Sequence, residues 1–356
     1  MTIPVRLPRS AREVQELTLS DFEVHQFLVN PIVGKVIEVK GEAFLLKALQ
    51  TKSNEKAFFS AKKLIFLDTD RFAESVEYYA IKFFNWSMRG EADKNFNVLR
   101  CFPQYGVRVP DVINFSLIGN VSLLVTKGFM TNLKDYKPTN RIVNIYHAKF
   151  LIEDLNRIHG LDCVHCGLSP SNLLIGRDSK GMIKRAIGGF EETFHISNLP
   201  DQFRVRDLSY AAPESLFSNS IKFNRATDLF SMGLTLFYIL TGRCLWGIGL
   251  DTIGDSNIEN GISSEKELAE QMLLFLGSPP ESFIDLGNGE WQKMALAMGS
   301  EAKGYQEVRE DLSKLVSHFL KKRYKGASEL VNVMAACLIW DPQERVERYD
   351  SIFPIV

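Results

Sequence analysis

Residues 164–175 read "VHCGLSPSNLLI". His165 stands between Val164 and Cys166, Gly167 precedes Leu168, and Pro170 and Asn172 lead into the apolar run Leu173, Leu174, Ile175. Upstream, "RIVNIYHAKFLIEDLNRIHG" (141–160) sets Ile145, Ala148, Leu151, Ile152, Leu155 and Ile158 on one helical face and supplies Gly160 as a stop. The spacing therefore predicts a buried helix, then a loop whose polar residues interrupt apolar ones.

The chain on either side differs in period. Before the helix, "KVIEVKGEAFLLKALQ" breaks at Gly41-Glu42, and "TKSNEK" leads into "AFFSAKKLIFL", which predicts a β-meander. "RFAESVEYYAIKFFNWSM" (71–88) carries Phe72, Val76, Tyr79, Ile81, Phe83 and Phe84 at roughly helical spacing, so a helix is expected to interrupt the strands. "VSLLVTKGFM" adds a strand. After Gly160 the pattern is mostly helical, including "LFSMGLTLFYIL" (229–240). The expectation is an α+β chain of two lobes with a cleft between them: an N-terminal extension 1–36, a β-rich small lobe 37–126 and a mainly helical large lobe 127–356, joined near 127–130.

With 356 residues, 45% hydrophobic and 24% charged, the chain can bury a large core. The 42 Lys plus Arg against 43 Asp plus Glu leave no basic footprint for nucleic acid. The N-terminus lacks an apolar signal core and no segment reaches the ~18 apolar residues of a membrane span, so a cytoplasmic protein is expected. Five scattered cysteines, Cys101, Cys163, Cys166, Cys244 and Cys337, argue against a disulfide framework. The pair Cys163 and Cys166 has the spacing of zinc and redox sites, but no second ligand pair accompanies it.

Taken in order, five segments resemble the eukaryotic protein kinase fold, from about Ile37 to the C-terminus. They are the helix and loop ending in "VHCGLSPSNLLI", "AIGGFEE" (186–192) in place of the D-F-G segment, "SYAAPES" with Ala212, Pro213 and Glu214 in place of A-P-E, "RATDLFSMGLTLFYILTG" with Asp228 and Gly233, and "CLIWDPQERV" with Arg345. The resemblance implies structural roles for His165 beneath the loop, for Asp228 as acceptor of loop amides, and for Glu214 paired with Arg345. Thr126 takes the gatekeeper position.

The chemical positions depart from the family. Phosphoryl transfer needs a carboxylate that orients the attacking hydroxyl, metal ligands and a phosphate cradle. Gly167 replaces the loop aspartate, and Gly189, aligned on Phe190, replaces the metal aspartate. Asn172, the second metal ligand, remains, and Glu191 offers a substitute carboxylate two residues beyond Gly189. Cys166 and Ser169 replace a phosphate-reading arginine and a phosphate-steadying lysine. Aligning the cradle on the Gly41 hairpin puts Glu38, Lys40 and Ala43 at the glycine positions; an earlier alignment keeps only Gly34. Lys62, with Glu77 as its helical partner, is the phosphate lysine in the preferred alignment and Lys47 the competitor; the plain alternative is a solvated strand lysine and a surface glutamate.

The resemblance thus implies a pseudokinase that acts by binding, with no catalytic residues and no metal. The substitutions are most similar to those of the Sterile-20-related adaptor (STRAD) pseudokinases. That similarity implies a protein partner, a protein kinase and/or a helical-repeat scaffold, and no cofactor beyond weak, metal-independent ATP binding. Two other readings stay open, a nucleotide sensor and an unusual kinase with residual phosphotransfer.

Overall fold

In a computed structural model the chain divides into two compact units, Met1–Asn132 with Leu174–Glu191, and Leu133–Leu173 with Glu192–Val356. The residues described are 8, 11–20, 23–24, 31–53, 55–67, 72–129, 131–136, 142–178, 180–199, 207–217, 224–246, 262, 264–280, 293, 301–320 and 326–353. The expected joint at 127–130 includes Met130, which lies outside them.

The first unit begins with helix α1 (Ala11–Leu17), followed by strands β1 (Val36–Val39), β2 (Glu42–Lys52), β3 (Lys56–Phe66), β4 (Phe72–Glu74) and β5 (Tyr79–Asn85). Helix α2 (Arg89–Cys101) then precedes β6 (Val112–Ile118) and β7 (Val121–Lys127). The strands form one sheet in the order β1-β2-β3-β5-β7-β6, with β4 on β3. Lys40 and Gly41, with φ of +50° and +79°, make the tight turn between β1 and β2 that two left-handed residues favour. Phe44, Phe59, Ile81, Phe83 and Leu123 belong to the core on one face. On the other face, Val14 of α1 packs with Val36, Ala43, Leu45 and Leu64.

The helix expected over 71–88 is not formed. Tyr79, Ile81 and Phe83 are buried at alternate positions of β5, a period of two rather than 3.6. Buried Phe84 breaks the alternation and made the spacing resemble a helix. The helix of this unit is α2 instead. Its buried residues are Ala92, Asn95 and Leu99, at helical spacing but with an amide among them, so no apolar stripe marked it.

In the second unit α3 (Ile142–His159) buries Ala148, Leu151, Ile152, Leu155 and Ile158, as its periodicity predicts. After α4 (Glu214–Phe217), helix α5 (Arg225–Thr241) is buried along all but Arg225, Tyr238 and Thr241, capped at its start by a reciprocal Asn224–Thr227 box and ended by left-handed Gly242. Then come α6 (Glu265–Leu276), α7 (Tyr305–Leu320), α8 (Ala327–Cys337) and α9 (Pro342–Ile352). No helix among the described residues is long and apolar enough to cross a membrane. An antiparallel sheet followed by a mainly helical region is the α+β class that the sequence predicts.

Gly233 fixes how closely α5 meets the end of α8: a Cβ there would lie 2.8 Å from Cys337 Cβ and 3.1 Å from Leu338 Cγ. Helix propensity alone would make Gly233→Ala stabilising by about 1 kcal/mol. Overpacking of a closed core typically costs about 1–3 kcal/mol and is expected to win. Urea denaturation that shows Gly233→Ala at or above wild-type stability would contradict this packing.

Candidate functional site

The lysine assignment changes with the fold. Lys62 Nζ donates to the carbonyls of Ser75 (3.0 Å) and Val76 (2.7 Å) and lies 3.6 Å from the Tyr78 ring centroid. Burial is the main influence that lowers its ammonium pKa. Glu77 pairs with Lys127 at 2.8 Å on the surface, and Lys47 pairs with Glu74 at 2.7 Å. The expected Lys62–Glu77 brace is absent because Glu77 precedes a strand and lies on no helix.

Strand order identifies the lysine that the alignment missed. β5 is the strand before α2, and it reads Tyr79-Ala80-Ile81-Lys82, a V-A-I-K signal with Tyr for Val. Lys82 Nζ donates to Glu191 Oε1 at 2.5 Å, and Asn95 Nδ2 of α2 donates to the same oxygen at 2.9 Å. Beside them Lys56 pairs with Glu91 at 3.3 Å. Burial alone would raise the Glu191 carboxyl, but the Lys82 ammonium, its hydrogen bond, and Lys56 farther off hold it down to about 2. Glu191 is thus engaged by a lysine and an amide. Next to it, Phe190 is fully buried and meets Phe102 edge-on at 5.3 Å. Gly189 has φ +79°, a conformation that resists a side chain.

The cradle also moves. The hairpin preceding the lysine strand joins β2 to β3 through Ser53–Lys56, not through Gly41, and "TKSNEK" contains no glycine. Phosphate cradles leave backbone amides pointing at the ligand. Here Ser53 Oγ accepts from the amides of Glu55 (3.3 Å) and Lys56 (3.1 Å), so these two donors are already satisfied within the turn.

The second unit holds the loop. Asp228 on α5 is buried; its Oδ2 accepts from His165 N (2.7 Å) and its Oδ1 from Cys166 N (2.8 Å), with His159 Nε2 3.0 Å from Oδ2. His165 is fully buried, and its Nδ1 accepts from Gly167 N at 3.2 Å. Cys166 is held at φ +59°, a strained value for a residue with a side chain. Asn172 Nδ2 donates to Gly167 O at 2.6 Å, so its amide closes the loop. A Cβ on Gly167 would lie 3.3 Å from Glu192 Oε2 and 3.8 Å from Asn172 Nδ2. A carboxylate therefore stands beside the glycine, carried by the neighbouring segment.

Farther along, Arg345 grips Glu214 through both nitrogens, Nη1 to Oε1 at 2.8 Å and Nη2 to Oε2 at 3.2 Å. It also donates to the carbonyls of Ala226, Ile339 and Trp340, and Thr227 Oγ1 donates to Glu214 at 3.1 Å. Both charges are buried and hydrogen-bonded, the condition under which such a pair is tolerated. Of the segment from Gly189 to Glu214, residues 189–199 and 207–214 are described.

A family model described as "Protein kinase domain" matches residues 121–350. The chain is 28% identical over 206 residues to the mitogen-activated protein kinase MKC1 of Candida albicans, over 56% of this chain and 34% of that protein. It is 30% identical over 146 residues to a probable cell division protein kinase of Encephalitozoon cuniculi, covering 37% and 45%. To the serine/threonine-protein kinase ppk5 of Schizosaccharomyces pombe it is 24% identical over 258 residues, covering 72% and 27%. The chain spans less than half the length of each.

The depressed Glu191 carboxyl predicts a pH dependence. A fall from the usual 4.5 to about 2 corresponds to about 3 kcal/mol of stability. That contribution is complete above pH 4.5 and is lost as the pH falls toward 2, where the folded carboxyl takes up its proton. Glu191→Gln is expected to be about 2–3 kcal/mol less stable than wild type at neutral pH, with the gap closing across this acid window. Denaturant melts of both chains at a series of pH values test it; a gap that stays constant on acidification would contradict it.

Proposed function

The chain belongs to the protein kinase domain family, and on that premise we propose that it is a pseudokinase, which keeps the fold and works by binding a protein partner. The observation that carries this reading is the pair of glycines where phosphoryl transfer needs carboxylates, Gly167 in the loop and Gly189 before Phe190. Asn172, bonded to the loop's own carbonyl, is a neutral ligand and alone a poor partner for a hard divalent cation. A turn without glycine and a lysine already holding Glu191 support the same reading. Weak ATP binding without metal fits it, as does a cytoplasmic location.

The supported binding surface is the segment from Gly189 to Glu214. Retention of the Glu214–Arg345 anchor makes sense if a segment shape is presented to another protein, since a preorganised surface binds with less ordering cost. The partner class is a protein kinase and/or a helical-repeat scaffold, as for the STRAD-type pseudokinases that the substitutions resemble. Arg345→Ala leaves Glu214 buried without its charge partner, a loss worth about 3–5 kcal/mol. It is expected to weaken binding to a partner kinase or scaffold captured by the wild-type chain, whereas Glu77→Ala, at an exposed pair, leaves it unchanged. Equal partner affinity for Arg345→Ala and wild type would remove the segment from the account.

One observation favours a second reading, residual phosphoryl transfer: Glu192 places a carboxylate oxygen beside Gly167. The two readings separate in one assay. With magnesium and labelled ATP, wild type is expected to transfer nothing above background, and Gly167→Asp is expected to restore nothing, because the metal position and cradle remain substituted and the new carboxylate meets Glu192. Metal-dependent labelling that disappears in Lys82→Met or Glu192→Gln would overturn the pseudokinase reading.

A further inference from the structure

We propose that Glu191 is the built-in occupant of an oxyanion position at Lys82, so that this position takes an external phosphate-type anion only when the Glu191 carboxylate is removed. The inference rests on the pseudokinase reading and adds what fills its lysine site. A carboxylate oxygen and a phosphate oxygen ask for the same partners, an ammonium and convergent N–H donors. Glu191 Oε1 has both, from Lys82 Nζ and Asn95 Nδ2, and Lys56 adds positive charge nearby.

The charge count supports it. In the family the lysine of this strand pairs with a glutamate on the following helix and with nucleotide phosphates. Here the α2 residue that faces the site is Asn95, buried and neutral. The negative charge that meets Lys82 comes from the turn beginning at Phe190, while Glu91, one turn before Asn95 on α2, is paired with Lys56. Asn95 is neutral and Glu91 is held by Lys56, so departure of Glu191 would strand a partly buried ammonium, a costly state. An incoming phosphate must replace that charge, not merely join it. Glu191 is itself buried, and the Lys82 side chain is 26% exposed, so the lysine is open enough to meet a small anion.

The test uses the full chain at neutral pH without metal, titrated with inorganic pyrophosphate and, separately, ATP, and read by calorimetry and thermal shift. At millimolar anion wild type is expected to show neither heat nor a melting shift with pyrophosphate, and with ATP no more than weak, metal-independent binding. Glu191→Ala is expected to bind pyrophosphate at least about tenfold tighter than wild type, with a rise in melting temperature that follows concentration, and Glu191→Ala/Lys82→Met is expected to lose that gain. Glu191→Gln keeps the shape of the turn and carries the test if the alanine variant does not fold. Wild-type binding as tight as that of the Glu191 variants, no gain in a folded variant, or a gain that survives Lys82→Met each overturns the inference. These outcomes leave the pseudokinase reading standing, which falls only to metal-dependent phosphotransfer by wild type.

Discussion

Arg345 is a fully buried guanidinium, and the second unit is organised by what satisfies it. A lone charge in such a place would cost several kcal/mol. The chain meets the demand with Glu214 and with carbonyls of Ala226, Ile339 and Trp340, which ties α4, the start of α5 and the turn before α9 to one side chain. Two residues along α5 from Ala226, Asp228 does the same for the loop by accepting two consecutive amides. Fold and loop shape are thus held by two buried carboxylates and one buried guanidinium, whose partners here are protein groups and which stand in place beside a loop that carries glycine at 167.

The first unit shows charge relocated, not deleted. Lys82 keeps a carboxylate partner, but the carboxylate comes from Glu191 and the helix offers the amide of Asn95. The same substitution that removes a glycine after Phe190 supplies the neutralising charge. Glu192, the next residue, brings its carboxylate beside Gly167. Two adjacent acids therefore stand near two altered positions, and each has a short-range physical consequence that depends on backbone placement more than on residue type.

The helical unit was legible because its signals are local. Ala148, Leu151 and Leu155 repeat at the helical period, Asn224 and Gly242 mark the ends of α5, and Glu214, Asp228 and Arg345 stand at motif spacings. The sheet was harder. Phe83 and Phe84 are both buried, which blurred the period of β5 and hid the Tyr79-to-Lys82 signal that was present in the sequence. α2 was hidden by the amide of Asn95 in its buried stripe, and with it missing, the motif positions fell on Lys62 and Glu77, whereas the paired lysine and carboxylate of the fold are Lys82 and Glu191. The latter pair is separated by more than a hundred positions in the chain, and only strand order brings it together.

The packing of α1 bears on where this unit can be cut. Val14 covers Val36, Ala43, Leu45 and Leu64 on the outer face of the sheet, and Leu19 N donates to Val36 O at 2.8 Å. A chain shortened to begin at Ile37, the boundary that motif matching suggests, would lose Val36 along with α1, and would leave an apolar sheet face and the Leu46 amide and carbonyl of β2 open to water. Open strand edges and bare apolar faces are templates for association, so such a fragment would trade a folding problem for a solubility problem.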